Sequence, residues 1–466
     1  MSSSRAISLR AAARIAIVTA CLSAMPRLPA QQPLTLSRVI EDSLKNYPSI
    51  RVSQEQSNAA TAAIQLARAA YLPRVDAVAQ INRATRNNVF GLLFPQNVIP
   101  SMSGPVIGSN NLGSVWGSAV GALVTWEPFD FGLRAAGVEV ANAARAQSEA
   151  AVRRTRFDIA VAAADAYLTL VAAQETTRAA QAGVERADAV VRTITAQVNA
   201  QLRPGADQSR AEAERAAAET QLIEAQQAVD VARANLAQFV GGDPSSVAIT
   251  AGSLLQFPPD QTPASMNTAA NPALIEQNAA LDQARAQLRI LERSYFPRFY
   301  LEAAAYARGT GAETNGDRLG GLNGLAPNFQ NYALGFTVTF PVMDLPSIRA
   351  RRAEQNALIR SQEAKSEQIA VDLRAQWNRA VAVHGGARRV ANNTPAQVSA
   401  ARATVEQATA RYRSGLGNVD EVAEAQRLLT QAQIDDALAR LAVWRGLLSI
   451  AAAAGDIQPF VAEAGR

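Results

Sequence analysis

The chain repeats itself once, at a spacing too long for a solenoid. Tyr71-Leu72-Pro73-Arg74 returns as Tyr295-Phe296-Pro297-Arg298, an offset of 224, and Val124-Thr125-Trp126 with Asp130 returns as Val338-Thr339-Phe340 with Asp344, an offset of 214. Solenoid units recur every ~20–50 residues. The longer period marks one large supersecondary unit, duplicated and fused. Each copy reads helix, strand, loop, strand, very long helix, helix. The drop from 224 to 214 falls between Pro73 and Val124, so the first copy carries ten more residues in the loop between its strands. Only that loop varied in length, as expected where helices are held to a fixed span and loops lie free in solvent.

In the first copy, Leu34-Thr35-Leu36 opens a short amphipathic helix ending near Asn46-Tyr47-Pro48, and Pro48 suits the first turn of the next helix. Pro73 stops that helix. An extended stretch follows, then a Gly/Pro/Asn/Ser-rich loop, Asn87 to Asn111, that contains Phe90, Leu92, Leu93 and Phe94. From Trp116 to Trp126 large residues (Trp116, Val120, Val124, Trp126) share a face with Ala122, while Gly117, Ala119, Gly121 and Thr125 take the other. This is the pattern of a strand with lipid outside and close packing inside. The period then becomes helical. Phe157, Val161, Ala164, Leu168 and Val171, then Val184, Val191, Ile194 and Val198, follow coiled-coil spacing. A helix over 133–199 would be on the order of 100 Å long. Pro204-Gly205 breaks it, and Asp207 is placed to cap the returning helix.

The second copy follows the same order. Pro272 stands 224 after Pro48, and Gly455 stands 214 after Gly241. The boundaries read as 31–245 for the first copy (strands 74–84 and 114–126, long helices 133–199 and 207–240), 246–270 for a linker, 271–456 for the second copy (strands 298–307 and 331–341, helices 347–413 and 418–454) and 457–466 for a C-terminal tail. A Gly/Asn-rich loop spans Gly309 to Asn328, and Gly385-Gly386, beside His384, reads as a joint in the long helix.

Composition narrows the class. Apolar residues make up 48% of the 466 but aromatics only 5%, and alanine supplies much of the apolar content. Alanine favours helices and lets backbones approach, yet buries little area. The formal charge of +5 owes four arginines (Arg5, Arg10, Arg14, Arg27) to the first thirty residues, and without them 41 basic residues face 40 acidic ones. No basic tract supports nucleic-acid binding. Met1 to Ala30 reads as an export signal whose apolar stretch, Ile15 to Met25, is too short to span a bilayer. Cleavage after Ala30 competes with a lipoprotein site at Cys21, the only cysteine, so no intrachain disulfide can form. Beyond the signal no run of about eighteen apolar residues occurs, and the chain is not read as an inner-membrane helical protein.

The scarce aromatics, among them Trp116, Trp126, Tyr295, Phe299, Tyr332 and Phe340, gather in or beside the four strands, as they do at membrane interfaces. Four strands cannot close a transmembrane barrel, and open edges are forbidden in lipid. Two protomers would give a filled eight-stranded barrel, and three give twelve strands with room for a channel.

The chain resembles the outer-membrane efflux proteins, the trimeric channel-tunnels related to TolC. The resemblance covers both helix–Pro–strand junctions and both turns between long helices. The family turn reads approximately Arg-Tyr-x-x-Gly, an acidic residue six after the glycine, then Val and an Ala-rich helix; Arg411-Tyr412-Arg413-Ser414-Gly415 with Glu421-Val422 matches it. In the first copy Asp207 falls at the matching position, but Gln201 replaces the glycine. The resemblance implies a mixed membrane fold: a twelve-stranded transmembrane β-barrel shared by three protomers, four strands each, continuing into a long α-helical coiled-coil barrel in the periplasm.

It also implies partners: a homotrimer in outer-membrane lipid, a periplasmic adaptor (membrane fusion) protein, and through it an inner-membrane RND, ABC or MFS-type transporter. The turns Gln201, Leu202, Pro204, Gly205 and Gly415, Leu416, Gly417 would dock the adaptor. Asp207, Asp420 and Glu421 would either line a periplasmic aperture or cap their helices, and Arg411 would either latch a neighbouring helix or be a solvated arginine. No cofactor is expected. His384 is the only histidine, which argues against a metal site, and no catalytic constellation exists. The leading function is an exit duct for drugs, metabolites or metal ions. The exit duct of a type I protein secretion system and, in a different class, a periplasmic coiled-coil scaffold without a barrel are the alternatives.

Overall fold

The computed structural model describes residues 33–85, 113–258, 266–313 and 317–465. The expected signal with Cys21 and the loop from Asn87 to Asn111 lie outside the described residues. The elements run α1 (Leu36–Asn46), α2 (Pro48–Ala69), β1 (Arg74–Thr85), β2 (Ser114–Phe129), α3 (Leu133–Asn199), α4 (Gly205–Val240), α5 (Pro272–Arg293), β3 (Arg298–Thr310), β4 (Phe329–Thr339), α6 (Leu345–Arg413), α7 (Val419–Ala454) and α8 (Gln458–Ala464). They divide into two compact units. One comprises residues up to Pro48, Phe157–Met266 and Gln376–Arg466; the other comprises Ser49–Arg156 and Asn267–Ala375.

The second unit holds the sheet, four antiparallel strands in the order β1-β2-β3-β4. Its register puts Val75 opposite Val124, Val124 opposite Ala303, and Ala303 opposite Leu334. Those residues share one face with Ile81, Val120, Tyr332, Phe336 and Val338, several of them well exposed. The other face carries Asp76, Gln80, Asn82, Thr125, Glu302, Tyr306, Asn331 and Thr337. Because side chains alternate along a strand, one sheet is apolar on one side and polar on the other. Gly121 lies opposite Tyr306, where a Cβ would come within 2.4 Å of the tyrosine Cβ. Beneath the sheet the seam between α5 and α6 is polar: the buried Gln277 donates to the Gln362 side chain at 2.8 Å, and the buried Gln355 donates to the Ala284 carbonyl at 2.8 Å.

The first unit is a conventional apolar core. Leu36, Val39 and Ile40 bury one face of α1 in a cluster with Ala163, Ala164, Leu168 and Val171 of α3, Leu236 of α4, and Trp444 and Leu448 of α7. The coiled-coil stripe read along α3 lies in these seams, with Ile194 in a second cluster nearer the turn. Within the stretch read as a linker, residues 246–258 pack against the core, burying Val247 and Leu254. Leu34 bridges Ile249 in parallel, the Tyr167 hydroxyl lies 2.5 Å from the Thr250 carbonyl, and Trp444 Nε1 donates to the Gln256 carbonyl at 3.1 Å. The expected C-terminal tail instead forms α8, which buries Phe460 and accepts a hydrogen bond from Ser253 Oγ at the Ala464 carbonyl. Burial pushes the Tyr167 hydroxyl pKa up to about 12.

Helix α6 is continuous in its hydrogen bonding through Gly385 and Gly386. Helices α3 and α7 each contain an 18-residue window whose mean hydropathy would suit a membrane crossing, although charged or polar residues interrupt both. About half of each window, 44% and 50%, is buried by packing within the protein. His384 is buried, its Nδ1 lying 3.3 Å from the Val443 carbonyl, and among the described residues no group of acids, histidines or cysteines could hold a metal.

Gly446 lets α7 pass close to that histidine, because a Cβ there would meet His384 Cα and Cβ at 2.9 Å. Gly446→Ala is expected to force the helices apart at a cost of roughly 1–3 kcal/mol, read as a lowered midpoint of thermal unfolding by circular dichroism. An unchanged midpoint would show that the helices separate freely.

Candidate functional site: the paired helical turns

The two turns between long helices share one backbone. In the first, Gln201 N–H donates to the Val198 carbonyl at 2.9 Å and Leu202 N–H to the Gln197 carbonyl at 2.8 Å. In the second, Gly415 N–H donates to the Tyr412 carbonyl at 3.1 Å and Leu416 N–H to the Arg411 carbonyl at 2.9 Å. Each turn is thus a Schellman ending, which needs a left-handed residue after the helix. Gly415 supplies it at φ 78° without strain, whereas Gln201 adopts φ 61° despite its side chain. Leu202 and Leu416, one residue later, stand 73% and 74% exposed. A Schellman leucine normally packs back on its own helix, but both of these project into solvent.

Beyond the leucines the turns diverge. Arg203 reaches across from the first turn, donating to the Tyr412 carbonyl at 2.9 Å with its guanidinium 4.6 Å from the Tyr412 ring centre. The buried Tyr412 packs with Ile194, Ala211, Val419 and Val422. Burial raises its hydroxyl pKa, as does the charge of Asp207, while Arg203 acts in the opposite direction. Helix α4 starts at Gly205 after Pro204, which has no side-chain cap to offer. Asp207 therefore sits inside the first turn, where it meets the positive helix end without capping it. Helix α7 is capped by Asn418, whose Oδ1 accepts from Glu421 N–H at 2.9 Å.

The acids at the turns are largely answered on their own chain. Glu421 faces Arg411 at 3.5 Å, and Arg411 also donates to the Leu416 carbonyl at 3.2 Å, so its partners lie within its own hairpin. Asp420 faces Arg210 at 3.2 Å, and Arg210 continues to Glu214 at 3.0 Å. Asp207 makes no ion pair among the described residues. Arg203 and Arg210 were not singled out from the sequence; the available signal for Arg210 was its helical spacing, four before Glu214.

In the sheet unit, the aromatics form two groups. Trp116 lies under Arg83, 5.2 Å from its guanidinium, and Tyr332 is 88% exposed. Trp126 donates from Nε1 to the Tyr71 carbonyl at 3.1 Å, and Phe299 stands 6.0 Å from both Phe129 and Phe336. Phe340 is exposed just past β4, and Tyr295 lies under Arg352 just before β3. Trp116 and Trp126 are about 33 Å apart along a strand rising ~3.3 Å per residue, which a tilt of ~40° reduces to about 25 Å, the height of an outer-membrane apolar band. At the strand-to-helix corner the buried Asp130 accepts from Gly132 N–H at 3.0 Å and from Arg134 N–H and Nε at 2.7 and 2.8 Å. Burial opposes its ionisation, but these bonds outweigh it and hold the carboxyl below its ordinary pKa.

The shared backbone of the turns has a consequence for stability. Gly415→Val is expected to cost about 1–2 kcal/mol, seen as faster protease nicking at the turn. Gln201→Gly is expected to be near neutral, since relief of strain is offset by the greater chain entropy of glycine. Equal nicking of both variants would count against a left-handed residue at these positions.

The sequence profile of the outer membrane efflux protein family matches residues 39–242 and 265–456, both copies of the duplication. No curated protein matches. Among solved structures the chain is similar to the Campylobacter jejuni CmeC outer membrane channel, with a TM-score of 0.72 at 15% identity over 92% of this chain and 89% of that one. It is similar to the Vibrio cholerae outer membrane protein VceC, TM-score 0.69 at 18% identity over 90% and 96% of the two chains. It is also similar to the open state of the Neisseria gonorrhoeae MtrE outer membrane channel, TM-score 0.68 at 18% identity over 90% and 89%. The fold is thus the channel-tunnel one, with four strands of a twelve-stranded barrel shared by three protomers and a continuing helical barrel. The chain belongs to the outer membrane efflux protein family, the efflux channels of the outer membrane.

Proposed function

We propose that this protein is the outer-membrane exit duct of a tripartite export system. As a homotrimer it would pass small molecules (drugs, metabolites or metal ions) from an inner-membrane RND, ABC or MFS-type transporter to the exterior, with its helical part in the periplasm. The duct performs no chemistry; transport follows the gradient set by the pump. The observation that carries the docking role is the pair of turns with identical backbones, each presenting a solvated leucine. Two equivalent apolar knobs per protomer suit a periplasmic adaptor that meets six similar sites around a trimer. Leu202→Asp with Leu416→Asp is expected to abolish efflux in cells while leaving trimer yield and single-channel conductance unchanged. Efflux that survives the double change would move docking away from these turns.

The aperture reading rests on Asp207, Asp420 and Glu421 beside the same turns, tempered by Arg203, Arg210 and Arg411. In a trimer each charge recurs three times around the mouth, so small changes in balance alter ion preference. Asp207→Asn with Glu421→Gln is expected to lower the cation-to-anion permeability ratio in planar bilayers by on the order of twofold, and Arg411→Ala to raise it. Identical reversal potentials in all three proteins would remove these groups from the conducting path.

A further inference from the structure

The two copies of the duplication differ in charge at the corner where strands give way to long helices. In the second copy, residues 289–298 and 344–354 hold six arginines against Glu292, Asp344 and Glu354. The equivalent stretches of the first copy, 65–74 and 130–140, hold three arginines against Asp130 and Glu139. Some of the second copy's excess is spent internally: Arg289 pairs with Glu139 at 2.6 Å, Arg298 with Glu127 at 2.8 Å and Arg352 with Glu292 at 3.4 Å. Arg293, Arg349 and Arg351 remain exposed, with no carboxylate within ion-pair distance among the described residues.

Beside them the chain exposes apolar surface with no partner in the protomer. Met343 is 91% and Val342 56% exposed, in the link between β4 and α6 that begins with the exposed Phe340. Apolar side chains adjoining unpaired arginines, directly past the end of the apolar sheet face, fit a surface with hydrocarbon above and phosphates below. We propose that this corner is a binding site for anionic phospholipid of the inner leaflet of the outer membrane. Arg293, Arg349 and Arg351 draw anionic headgroups to the corner, Arg349 and Arg351 from opposite flanks of α6, and Val342 and Met343 enter the acyl boundary. Guanidinium groups suit this role because they bind phosphate through several donors and remain charged. The first copy's corner, with Arg134 committed to Asp130 at 2.8 Å, lacks the excess, so a trimer would carry three such sites rather than six.

The proposal rests on the outer-membrane reading only in placing a bilayer around the sheet, and its test separates the two. Full-length trimer would be reconstituted in nanodiscs of phosphatidylethanolamine with and without phosphatidylglycerol, and lipid retained after delipidation counted by native mass spectrometry. Wild type is expected to retain phosphatidylglycerol over phosphatidylethanolamine by about fivefold or more. Arg293→Gln/Arg349→Gln/Arg351→Gln is expected to lose that preference, while Arg192→Gln/Arg402→Gln keeps it. Intact trimers with no preference, or a preference untouched by the triple change, would overturn the lipid site and leave the duct reading standing. Failure to form bilayer-embedded trimers would instead overturn the duct reading, and the lipid site with it.

Discussion

The structure depends on the unpaired backbone of two strands. β1 and β4 are the edges of the protomer's sheet, and their outward N–H and C=O groups have no strand neighbour among the described residues. In hydrocarbon each such group costs several kcal/mol, so an open four-stranded sheet cannot exist there. Closure with other copies is the remedy, and a shared barrel is its geometric form. The alternation of faces follows from the same closure. Val75, Val120, Leu334 and Phe336 must meet lipid, while Asp76, Gln80, Glu302 and Asn331 face the water-filled inside.

Packing in the helical unit answers a different constraint, that long helices must lie close over many turns. Alanines at 160, 163 and 164 and glycine at 446 bring backbones together, which explains a chain rich in apolar residues and poor in aromatics. Small side chains bury little area each, so the unit concentrates its large ones. Tyr167 and Trp444 are fully buried, and each fastens the 246–258 stretch by a hydrogen bond to its backbone. A connection that would otherwise be loose becomes a strap across the helices.

What was legible in the sequence was whatever depends on local period. Alternation gave the strands, coiled-coil spacing gave the helices, and Pro73, Pro204 and Pro297 gave the stops. What was not legible depends on residues brought together from afar. The Trp444 bond to Gln256 spans 188 positions and the Arg203 bond to Tyr412 spans 209, so neither linker burial nor cross-turn pairing leaves a local mark. Asp207 misled because acids are common both at helix caps and in first turns, and only the backbone at Pro204 distinguishes them. Gln201 misled less: its offset from Gly415 already marked a left-handed position, although the residue itself argues against one.

The duplication therefore conserves geometry more strictly than chemistry. At the turns the hydrogen bonds that end the long helices correspond one for one, yet Arg203 stands where the other copy has Gly417, and it reaches across to Tyr412. At the corners, Asp130 binds Arg134 in the first copy, whereas the second has Ile348 at the matching position and its arginines elsewhere. Backbone geometry is shared because six near-equivalent units must close one ring, and a deviation in any unit would propagate around it. Side chains on the outside of that ring carry no such restriction. A threefold assembly built from a sixfold frame can thus hold two kinds of surface at each level, one for each copy. Divergence of surface charge on a fixed backbone gives it that second surface without altering the conduit.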